Sequence, residues 1–444
     1  MAASGEGATY PRREMLRLGL MSLAGTSIEW YDFFLYGIGA ALVFPTLFFP
    51  PGLPASVALL ASYSTFAVGF IARPVGALVF GHVGDRLGRT RAFSAALLLM
   101  GTATTLIACL PSYERIGALA PALLVLLRFA QGLAIGGQWG GAMLLVVENA
   151  PATRRGFYGA FAQVGAPLGV VLANLAFLGA GVFAAGPAFV AWGWRLPFAA
   201  SVLLVALGLY VHRHIEDTSA YRELRRRAGP MPADARPSPV LEALRHYPRT
   251  IVLAAGSFIA VQVIFYIVIT WSVSYTSGPH GLGVPRTQIL TAILLAASLQ
   301  APSNLLFGAL SDRFGRRGVH MLGALGSAAF AFALFPLLET RSLVGMVLGL
   351  GGAIGFLGMM YGPQPALFSE LFGTRMRYSG ASLGYQLGAI LGGGLAPLIA
   401  ERLYASFHST LWISGYLALA SLVSLVSMAL LKETAGTSLS AAST

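Results

Sequence analysis

The chain has 444 residues, of which 56% are hydrophobic and 10% charged, with a mean hydropathy of +0.72. Globular chains carry about 25% charged residues, so a soluble enzyme is excluded and the membrane is the solvent for most of the chain. The net charge of +12 sets 29 Lys and Arg against 17 Asp and Glu, and the single Cys109 excludes a disulfide framework and a Cys-ligated metal site.

A bilayer core of about 30 Å takes roughly 20 apolar residues per helix. Apolar runs bounded by polar, Pro-rich or charged breaks predict twelve spans, at 16–44, 56–82, 91–111, 119–147, 156–183, 190–212, 250–276, 287–309, 319–338, 343–369, 379–401 and 409–431. With the N-terminus inside, the inner segments hold Arg12, Arg13, Arg17, Arg86, Arg89, Arg91, Arg154, Arg155, the arginines from Arg213 to Arg249, Arg313, Arg316, Arg317, Arg375, Arg377 and Lys432. That bias predicts cytoplasmic termini. It also accounts for the positive charge without nucleic acid, because the arginines are scattered over short loops rather than gathered on one recognition module.

The chain then repeats itself. Gly81-His82-Val83-Gly84-Asp85-Arg86-Leu87-Gly88-Arg89 follows the second span, and Gly308-Ala309-Leu310-Ser311-Asp312-Arg313-Phe314-Gly315-Arg316-Arg317 follows the eighth. Glu148 and Arg155 after span four recur as Glu370 and Arg377 after span ten, at an offset of 222, half the chain. Two parallel repeats of six spans imply a pseudo-twofold axis along the membrane normal and a site between the halves near the midplane. The expected fold is an all-α membrane protein. Its parts are a cytoplasmic tail at 1–15, a six-helix bundle at 16–212, a cytoplasmic linker at 213–249, a second bundle at 250–431 and a tail at 432–444.

On these residues the chain resembles the major facilitator superfamily, whose signature loop Gly-x-x-x-Asp-Arg-x-Gly-Arg is present twice. More narrowly, Glu29-Trp30-Tyr31-Asp32-Phe33-Phe34-Leu35-Tyr36-Gly37, Arg73-Pro74-Val75-Gly76 and Gly136-Gly137-Gln138-Trp139-Gly140-Gly141 resemble the metabolite:proton symporters, which carry shikimate, 2-oxoglutarate, citrate and proline or betaine. Relatives usually have an acid where this chain has Gln138. The resemblance implies twelve helices in two bundles, rocker-switch alternating access, and a cytoplasmic gate made of Asp85, Arg86, Arg89, Glu148 and Arg155 with Asp312, Arg313, Arg316, Glu370 and Arg377.

Ionisable groups inside spans cost about 2.5–3.5 kcal/mol on insertion scales, so Glu29, Asp32, Arg73 and Arg128 are functional candidates by default. Asp32 is expected to carry the proton with Arg128 as its switch, and Glu29 with Arg73 to form a supporting pair, because a guanidinium moving toward a buried carboxylate changes its hold on a proton. Glu29, Asp32 and Tyr36 share one face of the first span by their spacing, and Arg128, Gln131 and Gln138 share one of the fourth; both faces are expected to line the cavity. Substrate contacts are expected from Tyr36, Gln131, Gln138, Gln163, Gln262, Tyr266, Tyr385 and Gln386, with Asn174, Trp271, Asn304 and Gln364 as further polar or aromatic lining.

No phosphate-binding loop, zinc-protease motif or metal-ligand spacing occurs, so no enzyme activity, cofactor or metal is expected. The expected partners are protons, a small polar metabolite such as an organic acid or compatible solute, and the lipid bilayer, with the chain acting as a monomer in a bacterial plasma membrane. A facilitator or a proton-coupled exporter of the same fold is the alternative, because Gln138 removes a titratable group. A ligand sensor would need a large signalling domain that this sequence does not contain.

Overall fold

The computed structural model describes residues 11–184, 186–214, 239–277, 282–437 and 439. Most of the predicted linker therefore lies outside the described residues, apart from a short amphipathic helix at Pro239–His246.

Among the described residues twelve long helices run in chain order: α1 Arg12–Leu42, α2 Ala55–Leu87, α3 Arg89–Cys109, α4 Leu119–Val147, α5 Arg155–Phe183, α6 Phe189–Arg213, α7 Pro248–Ser277, α8 Arg286–Phe314, α9 Arg316–Glu339, α10 Leu343–Glu370, α11 Arg377–Phe407 and α12 Leu411–Leu430. By length and composition, eleven helical stretches among the described residues suffice to cross a membrane. The helix outside that set is α1, where Glu29 and Asp32 lower the hydropathy, yet its 31 residues reach about 46 Å, longer than a bilayer core. Among the described residues π-helical turns occur at Phe189–Gly193, Ile267–Trp271 and Ile390–Gly394.

Helix ends depart from the predicted spans in one instructive way. Apolar runs stop near residues 82 and 309, but α2 continues to Leu87 and α8 to Phe314, so Asp85 and Asp312 stand on the last helical turns rather than in loops. Hydropathy marks where hydrocarbon ends, whereas helical hydrogen bonding continues for as long as its polar side chains find partners. The connections shrink to Gly88 at φ 124° and Gly315 at φ 88°, conformations that L side chains rarely adopt. Likewise α11 runs past residue 401, and its exposed Glu401 accepts the indole N–H of Trp271 at 3.0 Å.

Within the first half α1 packs on α5 and α2 on α4; within the second, α9 packs on α10 and α12. Two seams join the halves, α5 against α8 and α2 against α11. Both seams lead to the basic end of the molecule, where the repeated motifs lie.

Candidate functional site

At the centre of the first half, Asp32 is wholly buried and both carboxylate oxygens accept hydroxyls. Ser201 of α6 donates to Oδ1 at 2.6 Å, and Thr104 of α3 donates to Oδ2 at 2.8 Å. The same Thr104 oxygen accepts the amide N–H of Gln131 at 2.7 Å, and the Gln131 carbonyl accepts Arg128 Nη1 at 3.2 Å. Asp32 and Arg128 are thus linked through two neutral side chains. Sequence spacing puts Asp32 on a face toward a cavity between the halves; among the described residues its hydrogen-bond partners come from the first half.

Two guanidiniums converge on one ring. Arg128 lies 5.5 Å from the Phe33 centroid and 4.3 Å from that of Tyr36, while Arg73 lies 4.8 Å from Phe33 and 4.5 Å from Phe70. Tyr36 holds its place by a 2.7 Å hydroxyl bond to Thr65 on α2. Stacking on aromatic faces lets the two like charges share a buried site, since a ring's quadrupole offsets part of each charge.

Among the described residues Glu29 and Arg73 make no contact at ion-pair distance, but the guanidinium acts electrostatically on the buried carboxylate while it stacks on Phe33 and Phe70. One Glu29 oxygen, Oε2, is buried without a hydrogen-bond partner among the described residues. The neighbouring Trp30 packs on Phe265 of the second half at 5.5 Å between ring centroids, so this stretch of α1 lies on the seam.

The predicted substrate contacts separate into two groups. Gln163, Tyr385 and Gln386 meet across the halves. Gln163 accepts the Trp139 indole N–H at 2.9 Å and donates to the Tyr361 carbonyl at 3.3 Å, and Gln386 reaches the Ile135 carbonyl at 3.4 Å. Tyr385 stacks between Trp139 at 3.9 Å and Phe258 at 4.3 Å and meets the Tyr361 hydroxyl at 3.3 Å.

The second group is mixed: Gln131, Gln138 and Gln262 bond or pack within one half, whereas Tyr266 and Asn304 reach across to the other. Gln138 donates to the Gly25 carbonyl at 2.8 Å, tying α4 to α1, and Gln131 belongs to the Asp32 chain. Gln262 lies buried against Gly392, and Tyr266 packs edge-on to Phe70 at 6.5 Å. Asn174 is exposed and bonds its own helix at Val170, so it is no lining residue. Asn304 donates to the Gln163 carbonyl at 3.0 Å. Gln163, Gln138, Gln364 and Gln386 are buried, and the last three each keep one amide atom without a partner among the described residues.

At the basic end the duplicated motifs cross over. Asp85 accepts the backbone N–H of Tyr378 at 3.2 Å and of Ser379 at 2.9 Å, plus the Ser379 hydroxyl at 2.7 Å, capping the start of α11 in the other half. Asp312 accepts the backbone N–H of Gly156 at 2.8 Å and of Phe157 at 2.9 Å, capping the start of α5. A carboxylate at a helix N-terminus meets orphan donors and the positive end of the dipole.

Around each cap stands a charge network. Arg89 bonds Asp85 and lies 3.6 Å from Glu148, which also takes Arg377 at 2.8 Å. Arg316 bonds Asp312 at 2.6 Å and Glu370 at 3.3 Å, and Arg155 reaches Glu370 at 3.6 Å. Arg86 is half-buried, whereas Arg313 is exposed and takes no part in the network among the described residues.

Sequence reasoning missed Thr104, Ser201, Tyr378 and Ser379. Thr104 lies in the run Gly101-Thr102-Ala103-Thr104-Thr105 inside a span, and Tyr378 follows Arg377 directly; hydroxyls at these places were the available signal.

The family model of the Major Facilitator Superfamily matches residues 33–377 and 279–443. The chain is 39% identical to the inner membrane metabolite transport protein YhjE of Escherichia coli (strain K12), covering 93% of both chains. It is also 39% identical to the shikimate transporter of Escherichia coli (strain K12), covering 94% of both. The proline/betaine transporter of the same organism is 32% identical over 93% of this chain and 82% of that protein. Among solved structures, the proton:xylose symporter XylE bound to a bromodeoxyglucose superimposes with a TM-score of 0.77 at 19% identity, covering 97% of this chain and 98% of the other, a likeness of fold. The chain is a multi-pass membrane transport protein, not an enzyme, and belongs to the Major Facilitator Superfamily.

Proposed function

We propose that this protein imports a small organic acid together with a proton, by rocking its two halves about a site near the membrane midplane. The observation that carries this reading is the buried chain from Asp32 through Thr104 and Gln131 to Arg128. In a low-dielectric interior, the distance from a carboxylate to a guanidinium governs whether the carboxylate keeps its proton. Motion of α4 against α1 and α3 therefore exchanges a proton on Asp32.

Charge balance extends the argument to the substrate. Glu29 and Asp32 offset Arg73 and Arg128 when all four are ionised. A proton on Asp32 leaves one positive charge in surplus, which a monocarboxylate neutralises. Proton binding then precedes substrate binding, and one proton moves with one carboxylate without net charge. The 39% identity to a shikimate transporter supports a hydroxylated carboxylic acid, and the polar atoms of Gln138, Gln364 and Gln386 supply hydrogen-bonding capacity for it. The basic end is assigned to the cytoplasm, with both termini there, and the monomer in a bacterial inner membrane is the working unit.

Purified protein in liposomes tests the reading with shikimate as probe. Asp32→Asn should abolish accumulation driven by a pH gradient while leaving substrate exchange down its own gradient. Undiminished accumulation in that variant would refute the coupling role, and wild-type uptake indifferent to a pH gradient would favour a facilitator.

A further inference from the structure

Asp32 occupies a site where either protonation state must be tolerated without water. An ionised carboxylate needs donors, whereas a neutral one needs an acceptor for its proton, and a buried group that loses its partner costs about 1–3 kcal/mol. Few side chains serve both. A hydroxyl does, because it carries one rotatable hydrogen and two lone pairs.

Thr104 has such alternatives within reach. Its Oγ1 stands 2.8 Å from Asp32 Oδ2 and 3.0 Å from the Met100 carbonyl, and it accepts from Gln131 Nε2 at 2.7 Å. With Asp32 ionised, the Thr104 hydrogen points to Oδ2. With Asp32 protonated on Oδ2, the carboxyl donates to Oγ1, the Thr104 hydrogen turns to the Met100 carbonyl, and the second lone pair still takes Gln131. Every polar side-chain atom of Asp32 and Thr104 keeps a partner in both arrangements, and no heavy atom has to move.

We infer that Thr104 is the positioning residue that lets Asp32 gain and lose its proton in a sealed interior and passes the position of Arg128 to it through Gln131. This rests on Asp32 as the proton carrier, the reading given above. Ser201 cannot substitute for it: Ser201 donates to the other oxygen at 2.6 Å, and no link from it to Arg128 occurs among the described residues.

The charged and titratable groups acting on Asp32 are Arg128 from α4 and Tyr31 on its own helix. At this level α3 and α6 present the two hydroxyls, α5 presents Gly169 against Tyr31, and α2 presents Arg73, which acts on Arg128.

Infrared difference spectroscopy of the full-length protein in lipid follows the carboxyl stretch of protonated Asp32, identified as the band absent from Asp32→Asn. Thr104→Val keeps the volume but loses the donor to the ionised form. Because a hydrogen bond to a charge outweighs one to its neutral form, the titration midpoint should move up by about one pH unit, a tenfold change. Thr104→Ser should restore the wild-type midpoint. Should the valine variant misfold, Thr104→Ala gives the same reading by removing atoms only.

A midpoint unchanged in Thr104→Val or Thr104→Ala, with the Asp32 band present, overturns this inference and leaves Asp32 as proton carrier intact. A spectrum in which Asp32→Asn removes no titrating band overturns both.

Discussion

Glu148 and Arg377, 229 residues apart and each in a different half, meet at 2.8 Å with both side chains fully enclosed. Removing one partner of a buried pair leaves an uncompensated charge and costs about 3–5 kcal/mol. Arg377→Ala or Glu148→Gln should therefore populate the form open at the basic end. In a Cys109→Ser background, a Ser382→Cys probe, now buried against Gly140, should react with a thiol reagent added from that side at least about tenfold faster; a tenfold gain corresponds to about 1.4 kcal/mol. Equal labelling with and without the pair would show that it does not hold the halves together.

The Tyr378 ring sits in a notch over Gly84, where an added Cβ would stand 2.2 Å from the ring, and its hydroxyl donates to the Gly137 carbonyl at 2.7 Å. Gly84→Ala should destabilise the closed arrangement by about 1–3 kcal/mol through overpacking. Thermal stability in detergent checks this. The double variant with Tyr378→Ala should recover part of the loss, and strictly additive losses would place the clash elsewhere.

The stretch after α12 folds back beneath the bundle, where the Glu433 carboxylate accepts the backbone N–H groups of Arg316 and Arg317, each at 3.0 Å. Desolvation pushes its titration upward, but the amides of Ala435, Arg317, Arg316 and Thr434 together prevail and hold it below the ordinary carboxylate value. The folded state thus binds the proton less readily than the unfolded one. Docking of this segment is accordingly full above about pH 4.3, the unfolded value, and is lost as pH falls through the lower folded value. The protection factors of the Arg316 and Arg317 amides, measured against their intrinsic exchange rates at each pH, should fall between pH 6 and pH 3, and Glu433→Gln should lower them already at pH 6. Protection that survives the substitution would assign the docking to other contacts, such as Arg155 on the Thr437 carbonyl at 2.6 Å.

Replacing Arg128 or Arg73 by Lys preserves charge but loses the planar group that lies over Phe33. With stacking and forked donors gone, carboxylate uptake should fall by about tenfold or more, and Arg128→Lys should also blunt its pH dependence because the guanidinium Nη1 contact to Gln131 is lost. Wild-type uptake in both variants would reduce the arginines to generic positive charges.

Hydropathy alone located the helices well: the span expected at 119–147 is the helix Leu119–Val147. The repeat was legible because glycine, aspartate and arginine recur at one spacing. Partner choice was not. Glu148 and Arg155 are neighbours in sequence, yet Glu148 pairs with Arg377 and Arg155 with Glu370, since facing ends of two halves are adjacent in space only after the bundles assemble. Helical spacing put Asp32 beside Glu29, a 60° difference that suffices to turn one acid toward α3 and α6 and the other toward the seam. The hydroxyls that satisfy Asp32 carry no charge and leave little trace in composition.

The two caps at the basic end are exchanged: the acid of each motif closes a helix belonging to its sibling, Asp85 on α11 and Asp312 on α5. A lone six-helix unit would keep its acid idle and its own helix start bare, so neither repeat is self-sufficient. Reciprocity makes separation an all-or-none affair, because parting the halves uncovers both helix starts and both acids at once. The doubled chain is in this sense a permanent dimer, each half completed by the other.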